Sequence, residues 1–132
     1  MNPIFVPLPF SYKHPNSEVW VFNTTSLPIP SRKIKDQQMI VLGPGAVGGN
    51  HKHPRTEWFI AMSPGLQLYW LDEQGNVQER ELFSQKEELI LVEMPPFVPH
   101  AVKNIGNTEK AILIEFADDK IKKNEHVKVI SS

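Results

Sequence analysis

Apolar residues along this chain come in short runs, broken at short intervals by proline, glycine and asparagine. Met39–Leu42 makes a strand that stops at Gly43–Pro44–Gly45. TEWFIAMSPG, from Thr56 to Gly65, is a strand ended by Pro64–Gly65. Two strand-like runs, LQLYWL and NVQERELF, flank the turn-rich Asp72–Glu73–Gln74–Gly75–Asn76 and predict a hairpin. KEELILVEM is a strand closed by Pro95–Pro96, and Gly106–Asn107 separates two further strands in HAVKNIGNTEKAILIEFAD. No segment carries the three-to-four-residue periodicity of an amphipathic helix. About seven or eight short strands joined by turns predict an all-β sandwich or barrel. The barrel core is expected over residues 39–117, with residues 1–31 an irregular proline-rich arm holding one short strand at Val19–Phe22. The lysine-rich tail is expected to end in a short strand or to fray.

Composition sharpens this picture. At 132 residues the chain is expected to be a single domain with a core of its own. The 12 prolines argue against long helices. A net charge of -1 gives no general attraction to nucleic acid or anionic membranes, and neither is expected as a partner. No apolar run reaches membrane-spanning length, and the N-terminus lacks the basic start and apolar stretch of a signal peptide. A cytoplasmic location is the expectation. Cysteine is absent, which removes disulfides, thiolate ligands and cysteine nucleophiles; any metal must be held by nitrogen and oxygen.

Candidate chemistry gathers in GPGAVGGNHKHPRTEWFIA, from Gly43 to Ala61. Alternate side chains of a strand share a face, so His51 and His53 point the same way. A turn after Pro54–Arg55 returns Glu57 toward the same point, with Phe59 and Ala61 following it inward and Trp58 and Ile60 facing out. His100, in MPPFVPHAVKN, is the other histidine embedded between predicted strands; His14 lies in the arm and His126 in the polar tail. Three imidazoles and a carboxylate suit a divalent first-row metal, with open positions if it is octahedral. A His-x-His pair alone is a weak signal, because histidines beside glycine and proline are often solvated turn residues. Glu87 and Glu88, adjacent on an expected strand, point to opposite faces and cannot act as paired carboxylates.

With both segments in view, the sequence resembles the single-domain cupins of the germin-like and RmlC-like superfamily. The first cupin motif sets Gly, five residues, His-x-His, three or four residues, Glu, six residues and Gly. Gly45, His51, His53 and Glu57 fall in register here, and Gly65 comes one residue late. The second motif sets Gly, five residues, Pro-x-Gly, two residues, His, three residues and Asn. Pro95, His100 and Asn104 match, whereas Leu89 and Phe97 stand where that motif has glycine. The resemblance spans about Gly45 to Asn104. It implies a cupin β-barrel, the double-stranded β-helix or jelly roll, with His51, His53, Glu57 and His100 as ligands of a divalent ion such as zinc, manganese, iron or nickel.

Asn104 matches a motif position that is not a ligand and is read as a turn-stabilising side chain. Phe97 implies an altered turn or an aromatic pushed toward the pocket mouth; Phe97 and Phe59 are the expected cavity-lining aromatics. Glu115, interrupting an apolar strand, could serve as an acid or base in the cavity and Arg55 could meet an anionic substrate, but the preferred reading places both in solvent. The resemblance allows a metal-dependent enzyme on a small polar substrate, an isomerase, epimerase or dioxygenase among them. It equally allows a sugar or polysaccharide-biosynthesis cupin, or a non-catalytic small-molecule-binding module with a structural metal. The full ligand set departs from the metal-free histidine-base mechanism of the RmlC-type epimerases. The resemblance also implies a homodimer, with the Ile4–Phe10 arm free to cross to a partner.

Overall fold

The structure, a computed structural model, describes residues 1–84, 88–120 and 124–131; Glu87 of the rejected carboxylate pair lies outside them. The strands are β1 (Ile4–Pro9), β2 (Tyr12–Lys13), β3 (Trp20–Val21), β4 (Asp36–Leu42), β5 (Val47–Lys52), β6 (Glu57–Ala61), β7 (Leu66–Leu71), β8 (Val77–Glu81), β9 (Glu88–Met94), β10 (His100–Asn104), β11 (Ala111–Ala117) and β12 (Glu125–His126). Among the described residues only two single turns of 3-10 helix, Thr24–Ser26 and Ser31–Lys33, interrupt the β structure. No helix among the described residues is long and apolar enough to cross a membrane.

Two five-stranded sheets carry the fold, one in the order β1-β9-β6-β11-β4 and the other β12-β5-β10-β7-β8; β2 and β3 form a separate small ribbon. The pairings within both sheets are antiparallel. Alternation decides which side chains meet between them. Phe59 and Ala61 of β6, Leu113 of β11, Val92 and Met94 of β9, and Leu66, Leu68 and Trp70 of β7 fill the space between the sheets. The opposite face of the first sheet buries Leu8, Trp58, Ile60 and Leu91 under Ile29, with Phe22 and Leu27 packed beside them. The expected split of β6, Phe59 inward and Trp58 outward, is therefore what the structure has.

The arm differs from expectation. Ile4–Pro9 pairs residue for residue with β9 of its own chain, from Ile4 opposite Glu93 to Pro9 opposite Glu88. Proline hid this strand, yet Pro7 and Pro9 occupy alternate positions at a sheet edge. There a missing N–H can face solvent without breaking the ladder. Phe10 to Lys35 then lies as a cover over the outer face rather than projecting away. The tail is also docked. Beyond β12, the Asn50 side chain accepts from the N–H groups of Val129 and Ile130 and donates to the Ile130 carbonyl.

Candidate metal centre

Three local features bring the site together. The first is a bulge. Across β5 and β10, His51 pairs with His100 but Gly49 pairs with Ala101, so Asn50 has no partner on β10. Gly49 at φ +98° and Asn50 at φ +57° carry the extra residue. A Cβ on Gly49 would lie 3.0 Å from the His100 carbonyl oxygen and 3.1 Å from the Ala101 Cα, so only glycine lets β5 come this close. The second is the turn His53–Thr56, which sends Glu57 onto β6 of the other sheet. The third is the Pro95–Pro99 turn that delivers His100. Phe97 holds φ +65° there and donates its N–H to the His53 carbonyl at 3.0 Å.

The donor atoms of His51, His53, Glu57 and His100 lie within 4.8 Å of one another. They line a cavity of about 130 Å³ between the sheets, closed on its apolar side by Phe59, Val102 and Leu113. Each donor is prepared differently. His100 Nδ1 stands 2.8 Å from the Val98 carbonyl. That oxygen can only accept, so the ring proton sits on Nδ1 and Nε2 turns to the cluster, 3.3 Å from Glu57 Oε1. His51 is held neutral: burial first, then the neighbouring His100 and His53, lower its pKa to about 4. His53 is 4% exposed, and neither of its ring nitrogens has a hydrogen-bond partner among the described residues. Its Nε2 lies 3.0 Å from Glu57 Oε1 but outside hydrogen-bond alignment. An unpartnered buried polar group costs about 1–3 kcal/mol. A cation among these atoms would remove that cost. Three imidazoles and one ionised carboxylate suit a divalent first-row ion, so the residues fit such an ion.

Arg55 and Glu115 overturn the expectation that both face solvent. Arg55 is 4% exposed and Glu115 7% exposed, and both line the cavity. Arg55 Nε and Nη2 donate to Glu57 Oε2 at 3.0 and 2.6 Å. Nη2 also donates to Glu115 Oε1, and Nη1 to Asp36 Oδ2 and the Asp119 carbonyl. Burial opposes charge on Glu57, but the approach of His100 and His53 and the hydrogen bond to Glu115 outweigh it. They hold its carboxyl well below the usual carboxylate range. Glu115 goes the other way. Burial, then its hydrogen bond to Glu57 and that residue's negative charge, push it up to about 9 despite Arg55.

The other expected residues separate cleanly. Phe59 lines the cavity, its ring centroid 5.7 Å from that of His100. Phe97 does not: it is 60% exposed and outside the lining, because its left-handed backbone turns the side chain to solvent. Asn104 pins the turns at one end of the barrel, donating to the carbonyls of Leu42 and Glu109 and accepting from Gly106 N–H. His126 pairs across from His51 but is exposed and outside the cluster. Gln38 on β4, Arg55 and Glu115 were cavity residues that the sequence did not assign there. Glu115 had left one signal, a lone acid in the apolar run AILIEFA.

No protein-family model matches the sequence, and no curated protein sequence matches it. Solved structures do match by shape. The capsular polysaccharide assembling protein CapF from Staphylococcus aureus is 21% identical over 74% of this chain, with a TM-score of 0.63. This chain spans only 28% of CapF's length. The dTDP sugar isomerase from Desulfovibrio desulfuricans G20 is 16% identical, matches 98% of this chain and 85% of its own, and has a TM-score of 0.70. An oxalate oxidase solved with the substrate analogue glycolate is 20% identical over 69% of this chain and 45% of its own, with a TM-score of 0.57. These likenesses establish a common architecture across three different activities.

Proposed function

From the premise that this chain has the RmlC-like cupin fold, we propose that His51, His53, Glu57 and His100 hold a divalent metal ion. The protein is then a metal-dependent enzyme acting on a small polar molecule, a carbohydrate or an organic acid. The observation that carries this reading is the buried convergence of four donors around His53, whose ring nitrogens have no hydrogen-bond partner among the described residues. The bound ion would supply Lewis-acid or redox chemistry.

The chain's own groups do the rest. Val98 holds the His100 tautomer through its carbonyl. Phe59, Val102 and Leu113 keep one wall of the cavity dry, while Gln38 and Glu115 supply polar side chains outside the four donors. A cavity of about 130 Å³ is smaller than ordinary ligand pockets, so it suits a substrate of few heavy atoms or one end of a larger one. The test is elemental analysis of purified protein: about one metal per chain in wild type, and little in His51→Ala, is expected. Metal-free protein that retains full activity would refute the reading.

A second reading is a sugar-modifying or polysaccharide-biosynthesis cupin, in which the metal assists binding. It is favoured by the likeness to CapF and to the dTDP sugar isomerase. A thermal-shift panel of nucleotide sugars separates the two; no shift across the panel counts against the sugar reading. In either case we read the protein as a homodimer. The open edge of β4, with Met39 and Val41 exposed, supports that assignment, and light scattering at the monomer mass would exclude it.

A further inference from the structure

We propose that Arg55 is a positioning residue: it confines Glu57 to a single donor oxygen and so sets how the metal centre is filled. The inference rests on the metal reading above and concerns a residue outside the four donors. It follows from how the two oxygens of Glu57 are divided. Oε2 is taken by two N–H groups of Arg55, at 3.0 and 2.6 Å. Oε1 alone faces the imidazoles, 3.0 Å from His53 Nε2 and 3.3 Å from His100 Nε2.

The guanidinium cannot swing away to release Oε2, because its other donors are engaged as well. Nη1 holds Asp36 Oδ2 on β4 and the Asp119 carbonyl, and Nη2 reaches Glu115 Oε1 on β11. All three guanidinium nitrogens are thus committed, and the planar fork is fixed from three directions. Arg55 is 4% exposed, so water does not compete for these bonds. The same saturation leaves it no donor for an anionic substrate. Its effect on chemistry passes through Glu57. A carboxylate offered through one oxygen occupies one position where a chelating carboxylate would occupy two. The four donors then take four positions and leave the remainder of an octahedral shell to substrate.

The test is a titration of metal-free wild type, Arg55→Met and Arg55→Lys with Co2+, following its visible absorption, whose intensity reports coordination number. Melting temperatures are recorded alongside. Wild type is expected to bind one Co2+. Arg55→Met should bind about 10- to 100-fold more weakly, with a changed spectrum, since supports of metal ligands carry effects of that size. Arg55→Lys keeps the charge without the fork and should fall between the two in spectrum and affinity; it carries the test if Arg55→Met fails to fold. A lowered melting temperature with wild-type spectrum and affinity would make Arg55 merely structural and overturn the proposal. Failure of wild type to bind Co2+ would instead remove the metal reading, and this inference with it.

Discussion

Glu57 and Glu115 sit on neighbouring strands, point into the same cavity and share one guanidinium, yet the fold gives them opposite character. Glu57 on β6 is held ionised among the histidines, while Glu115 on β11 has its pKa pushed up to about 9. Both are buried, so desolvation alone does not separate them. The neighbours do. Glu57 has His53 and His100 beside one oxygen and the Arg55 fork on the other. Glu115 has one Arg55 contact at its end and the Glu57 charge next to it. Two carboxyls within one hydrogen bond cannot both ionise cheaply, and the one with more partners takes the charge. If Glu57 holds a metal as proposed, that charge is what the ion would bind.

Substitutions can break this asymmetry. The largest effect is expected from Glu57→Gln. It strips Arg55 of its principal counter-charge and should destabilise the metal-free protein by about 3–5 kcal/mol, read by urea denaturation. It should also abolish metal retention, read by elemental analysis. A loss below about 1 kcal/mol would mean that Asp36 and Glu115 suffice to neutralise the guanidinium.

The next effect is on pH dependence in metal-free protein. Glu115 keeps a proton in the folded state that the unfolded chain releases above a glutamate's ordinary pKa of 4.5. Stability from this group should therefore be full below that pH and decline as pH rises toward about 9. Glu115→Gln should flatten that decline, as denaturation midpoints across the range would show. An equal slope in both proteins contradicts the assignment. His51 governs the acid limb. Its pKa is lowered from 6.5 to about 4, so the unfolded chain binds the extra proton and stability should fall as pH drops through that window. An asparagine at position 51 should weaken the fall. The smallest effect is that of Glu115→Gln at pH 6. A neutral amide replaces a neutral acid of similar shape, and a change below about 1 kcal/mol is expected by the same denaturation assay.

The legibility of the sequence follows the same division. The cluster was readable because the two motif segments set its residue types at strand spacings, and His51, His53, Glu57 and His100 do converge. The inward and outward faces of β6 were readable from alternation. Arg55 and Glu115 were not, because one-dimensional pattern assigns charged residues to solvent. Their burial depends on a partner 60 positions away. Strand β1 was missed for a local reason, since proline counts against a strand unless the strand is already known to lie at an edge. Phe97 was half legible. Its motif position announced an unusual turn, and φ +65° is that turn, but the direction of its side chain depended on backbone geometry that residue type does not set.

The strand order β1-β9-β6-β11-β4 also bears on how the chain reaches its native state. No two neighbours in that sheet are consecutive along the chain, and Ile4 must meet Glu93 to complete its edge. Closing loops of that length before any contact rewards them places such topologies toward the slow end of folding, on the order of milliseconds to seconds. On a ribosome, the first strand waits until β9, more than eighty positions later, has emerged. Glu57 can acquire its β9 and β11 neighbours only after those strands have followed it, so the donor cluster depends on contacts distant in sequence.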